Sequence, residues 1–306
     1  MNENTGDKGL TRAVATGGES SGGAPVKVLV AGARGFIGSR LVPELEARGC
    51  RVTGFDDGDA GAGFAPGETF DVFVNLAWRG SRGALRADYA LQLEMVRTAL
   101  DYYGLALRLG CRRFICPGTI GERMAELPEC RGLRSQNAVY VHAKSALRGM
   151  LRSVEKPDEC RVVWARLGNL YGPGDTGNLV NWTLAKVLAG EEAAFGPARQ
   201  PYEFVAVRDC IRALAALALA PSLSRGEYYV GAGTPRELGD WLRDVGRIAG
   251  RADLIAIGKR PDDGTRYRAE WFDVGPLAAD TGYRPETAFE DGVAELVRAM
   301  EEEGAR

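Results

Sequence analysis

The stretch Val28-Leu-Val-Ala-Gly-Ala-Arg-Gly-Phe-Ile-Gly-Ser-Arg40 decides the fold of this 306-residue chain. Its apolar start, Val28 to Ala31, is typical of a buried strand, and apolar residues recur at helical spacing after the last glycine. Gly32, Gly35 and Gly38 lie between the two patterns. A strand, a glycine-rich turn and a helix in this order predict a dinucleotide-binding unit, whose first helical N–H groups face a diphosphate. The predicted fold class is therefore α/β, with a Rossmann-like, doubly wound parallel sheet.

Asp56 and Arg34 give opposing indications about the dinucleotide. Asp56 ends a predicted strand over residues 51–55, about 20 residues after Gly35, where an acid accepts hydrogen bonds from the adenine-side ribose. An acid at this place repels a 2′-phosphate and favours NAD, whereas Arg34 would pair with that phosphate and favours NADP. We predict NAD as the cofactor, with NADP as the alternative.

Further cofactor contacts are predicted at the carboxyl ends of the strands, where ligands of such sheets bind. Strand 70–77 ends at Leu76 and Ala77, and Trp78 beside them is predicted either to form a wall of the site or to belong to the core. The residues assigned to the cofactor from the glycine turn and the strand ends are Gly32, Arg34, Gly35, Phe36, Ile37, Gly38, Asp56, Asp57, Leu76 and Ala77.

Composition excludes several classes of protein. The net charge of −2 gives no basic field for nucleic acid, and no apolar run approaches the length of a membrane span. The six cysteines are scattered without a Cys-x-x-Cys pair, and there is one histidine, so we predict no metal site, no disulfide framework and a cytoplasmic location. The polar residues 1–25 are predicted to be a disordered tail.

The spacing of the later elements predicts how the domains are divided. Only 14 glycine-rich residues separate Asp56 from Asp71, too few for a full crossover, so the third unit of the sheet is predicted to be truncated. We predict an NAD(P)-binding domain over 26–175, to which the chain returns at 202–230. A smaller C-terminal α/β substrate domain is predicted to comprise 176–201 and 231–306.

Tyr140 and Lys144 form a second motif, at the start of a predicted helix over 137–154. A spacing of four residues places both side chains on one helical face. His142 lies between them in sequence but off that face, and we predict that it is a solvated side chain.

Together these motifs resemble those of the extended short-chain dehydrogenases/reductases that act on nucleotide sugars. The resemblance covers residues 26–303 and is carried by Gly32-x-x-Gly35-x-x-Gly38, Asp56, Asn75-Leu-Ala77, Thr119, Tyr140-x-x-x-Lys144, Arg166-Leu-Gly-Asn-Leu-Tyr-Gly-Pro-Gly174, Phe204-Val-Ala-Val-x-Asp209 and Tyr229-Val-Gly-Ala-Gly233.

The resemblance implies roles for five side chains. The resemblance implies that Tyr140 is the acid/base, that Lys144 activates it and that Thr119 is its hydroxyl partner. It also implies that Tyr140 and Lys144 contact the cofactor. A lysine cation and an oxidised nicotinamide favour a phenolate, which would bring the tyrosine pKa down from its usual value near 10. Asn169 and Asn178 are implied as substrate contacts, beside Trp78. The family also implies a homodimer through helices predicted at 84–109 and 138–154.

Two departures from the family pattern bear on the reaction. Dehydratases of the family follow the hydroxyl residue with an Asp-Glu pair, where this chain has Ile120 and Gly121, with Glu122 one place late. Many members have Arg-Asp-Phe before a late strand, the arginine holding a diphosphate, where this chain has Tyr202-Glu-Phe204.

Three functions remain after these departures. The first is 4-ketoreduction of a nucleotide-linked 4-keto-6-deoxyhexose by dissociable NAD(P)H, with Tyr140 exchanging the proton. The second is a 4-epimerase that keeps NAD bound, removes hydride and returns it to the other face of the sugar. A non-catalytic NAD(P)-binding sensor is the third, and would need the glycine turn but not Thr119, Tyr140 and Lys144. We predict the ketoreductase.

Overall fold

The apolar residues 28–31 lie fully buried in the middle of a parallel sheet, in a computed structural model that describes residues 24–56, 63–127, 137–174 and 177–304. All but the last two residues of the predicted tail lie outside these ranges. Within them, the sheet has six strands, each parallel to its neighbours. The strands are β1 (Lys27–Ala31), β2 (Arg51–Phe55), β3 (Val72–Asn75), β4 (Arg113–Thr119), β5 (Arg161–Leu167) and β10 (Glu227–Val230).

The order β10-β5-β4-β3-β1-β2 confirms the predicted doubly wound sheet with a truncated third unit. The chain crosses from β2, at one edge, over β1 to β3, and β2 has no further strand beside it among the described residues. Residues 63–71 form no helix or strand. Within the described residues, β2 therefore forms this edge of the sheet.

Helices cover both faces of this sheet. On one face α1 packs against α6, and on the other α2 packs against α4. Pro43 lies inside α1, yet the helix continues through it to Ala47. The bounds are α1 (Gly38–Ala47), α2 (Tyr89–Arg108), α3 (Glu122–Ala125), α4 (Ala138–Val154), α6 (Val207–Leu219) and α8 (Gly275–Thr281).

The prediction of one helix over 84–109 was wrong at its start. A 3₁₀ turn spans Gly83–Ala87, and Asp88 then adopts an extended conformation and caps α2 by accepting a hydrogen bond from the N–H of Leu91 at 3.0 Å. An Asp in this position stabilises a new helix N-terminus, which separates the turn from the helix. The separate turn directs side chains of the segment 78–87 toward the ligand edge of the sheet.

A third apolar core lies among the C-terminal elements. Three pairs of short strands border it, β6 (Asn169–Tyr171) with β9 (Phe204–Ala206), β7 (Ala193–Ala194) with β12 (Ile255–Ala256) and β8 (Pro201–Tyr202) with β11 (Arg236–Glu237). No helix in the described ranges is both long and apolar enough to cross a membrane. The remaining bounds are α5 (Leu179–Leu188), α7 (Leu238–Ile248) and α9 (Phe289–Gly304).

Candidate active site

A cleft of about 750 Å³ runs along the carboxyl ends of the central strands. The glycine turn lines one end, Thr119, Tyr140 and Lys144 line the middle, and Tyr202 and Tyr267 line the far end. The cleft is the place where an open α/β sheet binds its ligand, because the loops from successive strands diverge there.

The glycine turn fits a dinucleotide diphosphate. A Cβ on Gly38 would lie 2.0 Å from the carbonyl oxygen of Gly32, and a Cβ on Gly32, whose φ is +79°, would lie 2.7 Å from the carbonyl carbon of Leu76. Only glycine fits at these two places, so the turn presses against the first helix and β3. Of the predicted cofactor residues, Gly32, Gly35, Phe36, Ile37, Gly38 and Leu76 line the cleft.

The side chains of Arg34, in the glycine turn, and Asp56, after β2, contact each other. The Arg34 N–H donates to Asp56 Oδ1 at 2.9 Å, and Arg34 Nε donates to Oδ2 at 2.6 Å. Neither residue lines the cleft, and neither does Ala77, whose N–H donates to Asn75 Oδ1 at 3.2 Å. Asp57 lies outside the described residues.

Tyr140 and Lys144 lie on one face of α4, as their spacing predicted. Burial raises the pKa of Tyr140 to about 12, with Arg86 as the nearby cation that opposes this rise. Lys144 Nζ donates to the carbonyl oxygen of Pro117 at 2.9 Å and lies 3.6 Å from the centroid of the Trp78 ring. Burial lowers the pKa of Lys144 to about 8. Lys144 is not among the groups that shift the pKa of Tyr140, which besides burial are Arg86, Glu122 and Cys116.

Thr119 lies at the end of β4, and its Oγ1 accepts a hydrogen bond from the N–H of Gly121 at 3.3 Å. Glu122 is fully buried and does not line the cleft. Its Oε1 accepts the N–H of Thr119 at 2.7 Å, and its Oε2 lies 3.4 Å from NH1 of the buried Arg166. The carboxylate therefore supports the backbone of Thr119 from behind and cannot reach a ligand in the cleft.

Trp78 lines the cleft next to Tyr140, with ring centroids 6.2 Å apart and an edge-to-face arrangement. Its Nε1 donates to Gln92 Oε1 at 3.0 Å, which fixes the indole. Arg86 also contacts Tyr140, with its Cζ 5.3 Å from the centroid of the tyrosine ring. The NH1 of Arg86 donates a hydrogen bond to Asn137 Oδ1 at 2.9 Å. Trp78 was predicted here, whereas Arg86 was missed, since nothing in its local pattern distinguishes it from a solvated arginine.

The predicted substrate residues Asn169 and Asn178 line the cleft but have structural partners. Asn178 caps α5, accepting the N–H of Asn181 at 2.9 Å. Asn169 accepts the hydroxyl of Tyr202 at 2.9 Å. Tyr202, which stands where many family members have arginine, stacks on Tyr267 with ring centroids 5.5 Å apart. The stack supplies an aromatic surface at the far end of the cleft that sequence reasoning did not predict.

His142 is exposed, as predicted for a solvated side chain. Among the described residues, no group of three or more His, Cys, Asp or Glu side chains could hold a metal ion.

The sequence and the fold are similar to those of known proteins. The model of the NAD dependent epimerase/dehydratase family matches residues 28–231. Over 275 residues the chain is 25% identical to dTDP-4-dehydro-6-deoxy-D-allose reductase of Streptomyces bikiniensis, an alignment that covers 75% of this chain and 83% of that protein. Over 326 residues it is 22% identical to dTDP-glucose 4,6-dehydratase of Xanthomonas campestris pv. campestris, covering 88% and 91% of the two chains.

The fold is also that of UDP-glucose 4-epimerase from Thermus thermophilus, solved in complex with NAD. That structure superposes with a TM-score of 0.70 at 23% identity, covering 90% of this chain and 99% of the epimerase. The family model spans well over half of the chain and includes the glycine turn, Thr119, Tyr140 and Lys144. The chain belongs to the NAD dependent epimerase/dehydratase family and is an NAD-dependent enzyme of that family.

Proposed function

We propose that the protein is a ketoreductase that acts at C4 of a nucleotide-linked 4-keto-6-deoxyhexose. The observation that carries this proposal is the arrangement of Tyr140, Thr119 and Lys144 in the cleft, with the Glu122 carboxylate turned away from it. Removal of water from a sugar needs an acid and a base beside the substrate. Glu122 instead faces Arg166, so reduction fits this cleft better than dehydration does.

The phenol of Tyr140 can supply the proton that reduction of a ketone requires. A phenol with a pKa of about 12 is protonated at neutral pH, which is the form that donates a proton to a carbonyl oxygen. A reduced nicotinamide held by the glycine turn and Lys144 would supply hydride to the carbonyl carbon. Tyr140 gives its proton to the oxygen, and the Thr119 hydroxyl, at the end of β4, donates a second hydrogen bond to that oxygen. Lys144 Nζ retains donors for the cofactor ribose beside its bond to Pro117.

The nucleotide part of the substrate has a separate chamber available. A second cavity of about 360 Å³ shares Leu179, Trp182 and Gln200 with the cleft. Arg260 lines it with its Cζ 5.9 Å from the centroid of the Trp182 ring. A flat base stacks well on an aromatic side chain, so the nucleobase is assigned to this chamber. In this proposal, segments 176–201 and 231–306 form the substrate-binding domain.

A homodimer through α2 and α4 forms part of the proposal. Among the described residues, five of the six large apolar side chains that are exposed lie on these two helices or on the turn before α2, namely Leu85, Tyr89, Leu93, Met150 and Val154. The two helices pack against each other and present this apolar surface outward. Large apolar side chains exposed on neighbouring helices are candidates for burial in a protein interface.

The test begins with the purified protein, which is denatured so that any released dinucleotide can be identified by absorbance and mass. Protein without dinucleotide that then oxidises NADH or NADPH with a dTDP-4-keto-6-deoxyhexose supports the ketoreductase. Stoichiometric NAD, with interconversion of two nucleotide sugars and no net NADH use, would replace it by the epimerase. Protein that binds NADH but has neither activity would contradict both and favour the sensor.

A further inference from the structure

Segment 78–87 is a part of the cleft wall that neither the glycine turn nor the catalytic motif includes. It lies between these two motifs and contributes Arg82 and Arg86 to the lining of the cleft. Arg86 contacts Tyr140. Arg82 lies at the cofactor end, with its Cζ 5.1 Å from the centroid of the Phe36 ring in the glycine turn.

The backbone on both sides of Arg82 is held in place. Gln92 is buried, and its Nε2 donates to the carbonyl oxygens of Gly80 at 2.8 Å and Leu85 at 3.0 Å. Arg86 Nε donates to the carbonyl oxygen of Ser81 at 2.7 Å. Gly80 has a φ of +78°, and a Cβ there would lie 2.6 Å from Gln92 Nε2. The Gln92 amide therefore fixes the backbone of segment 78–87. In this conformation the Arg82 side chain points toward the glycine turn.

A second arginine at Phe36 provides an internal comparison. The Cζ of Arg40 lies 4.7 Å from the same ring centroid, but its guanidinium donates to the carbonyl oxygens of Phe36 and Pro173, each at 2.8 Å. Arg40 does not line the cleft and ties α1 to the loop after β6. Arg82 does line the cleft, beside Gly35 and Gly38.

We propose that Arg82 binds the diphosphate of the dinucleotide, so that segment 78–87 and the glycine turn hold it between them. The N–H groups of a glycine turn contribute partial charges only, whereas the diphosphate carries two negative charges. A guanidinium offers paired donors that match phosphate oxygens and adds a full positive charge. Phe36 supports the guanidinium through a cation–π contact, which limits the entropy lost when the diphosphate binds.

The test measures cofactor affinity without any sugar, so its result does not depend on the proposed ketoreduction. Dissociation constants of NADH, ADP-ribose and adenosine are measured by fluorescence titration and competition on dinucleotide-free protein. In Arg82→Ala we expect affinity for NADH and ADP-ribose to fall about tenfold, as for the loss of a charged hydrogen bond. Affinity for adenosine, which lacks phosphate, stays unchanged. Arg82→Lys keeps the positive charge but loses the paired donors of the guanidinium. Its affinity for NADH and ADP-ribose is expected to lie between those of the wild type and Arg82→Ala.

The control is Arg79→Ala, because Arg79 lies on the same segment but pairs with Glu94 outside the cleft. Its affinities should equal those of the wild type. Phe36→Leu removes the supporting ring and should weaken the binding of ADP-ribose severalfold. This variant keeps the proposal testable if Arg82→Ala does not fold. Equal affinity of Arg82→Ala and wild type for ADP-ribose would overturn the proposal. An equal loss for adenosine and ADP-ribose would also overturn it, since the effect would then not involve the phosphates.

Discussion

The guanidinium carbon of Arg86 lies 5.3 Å from the centroid of the Tyr140 ring. Lys144, the cation expected to activate this tyrosine, instead directs its Nζ to Pro117 and to the Trp78 ring. The charged and titratable groups that act on the phenol are Arg86, which lowers its pKa, and Glu122 and Cys116, which raise it. Arg86 is therefore the positive charge that opposes the rise in the pKa of Tyr140.

Arg86→Gln should consequently shift the pH dependence of the reverse reaction, oxidation of the sugar alcohol by NAD. In that direction Tyr140 acts as a base, so activity rises as the phenol ionises. Loss of a charge about 5 Å away raises the pKa by about one unit in a partly solvated site. We expect the pH of half-maximal kcat/KM to move upward by that amount.

Arg86→Lys keeps the charge and should leave the profile near that of the wild type. Arg79→Gln removes an arginine from the same segment outside the cleft and serves as the matched control. Identical profiles for Arg86→Gln and the wild type would show that Arg86 does not act on the phenol.

Tyr140→Phe tests the catalytic assignment directly. The ring and its contacts with Trp78 and Arg86 remain, while the exchangeable proton is lost. Because positioned acid/base groups contribute about 10²- to 10⁴-fold, kcat should fall by that factor, while the dissociation constant of NADH should rise by no more than about tenfold, the effect of losing one hydrogen bond. Turnover at the wild-type rate would exclude Tyr140 as the acid/base and would leave the sensor function open.

The cofactor preference should depend on the bond between Arg34 and Asp56. Asp56 repels a 2′-phosphate and also accepts hydrogen bonds from the Arg34 N–H and Nε. Asp56→Ala removes the repulsion and releases the guanidinium for the phosphate, so affinity for NADPH relative to NADH should rise about tenfold. Fluorescence titration with both cofactors measures this ratio, and Asp56→Asn, which retains an acceptor, should show a smaller change. A ratio equal to that of the wild type would mean that neither residue meets the ribose.

The parts of the fold that the sequence predicted are those set by local patterns. Strands β1 and β2, helix α1 and the helix that carries Tyr140 and Lys144 each depend on periodicity and on nearby glycine residues, which are readable in a short window. The truncated third unit followed from chain length alone. These features required no knowledge of distant contacts.

The features that were missed depend on contacts between distant parts of the chain. Glu122 was recognised as misplaced for a dehydratase, but its burial against Arg166 requires the neighbouring strand β5. The contact of Arg86 with Tyr140 and the stack of Tyr202 on Tyr267 likewise join separate elements. The break before α2 was different, since Asp88 is a favourable capping residue and could have been identified from the sequence.

The proposed dimer predicts the effect of a charge on the outer face of α2. Leu93 is 65% exposed, and its burial against a second copy would contribute to association. Leu93→Glu places a carboxylate in that interface and should convert a dimer into a monomer at micromolar concentration, as measured by light scattering. The far-UV circular dichroism should not change, because the side chain is exposed. A wild-type protein that is already monomeric would contradict the dimer.

The buried cation of Lys144 predicts how stability depends on pH in the protein without cofactor. Its pKa is lowered from 10.5 to about 8, so between these pH values the unfolded chain binds a proton that the folded chain has lost. Stability therefore rises with pH across this window relative to a variant without the amine. Below pH 8 both states are protonated, and the folded state bears the full cost of burying the charge, about 3 kcal/mol for a shift of this size.

Lys144→Met has a side chain of similar length without the charge. We expect the free energy of unfolding of the wild type, measured in urea and expressed relative to this variant, to increase between pH 8 and pH 10.5 by up to about 3 kcal/mol. Loss of the hydrogen bond to Pro117 changes the free energy of unfolding of Lys144→Met by the same amount at each pH. The pH dependence of the difference between the two proteins therefore reports the titration of the amine. Lys156→Met, which removes an exposed lysine outside the cleft, is the control variant. Parallel pH profiles for the wild type and Lys144→Met would mean that Lys144 keeps its proton throughout, and that water or an anion reaches Nζ in the cleft.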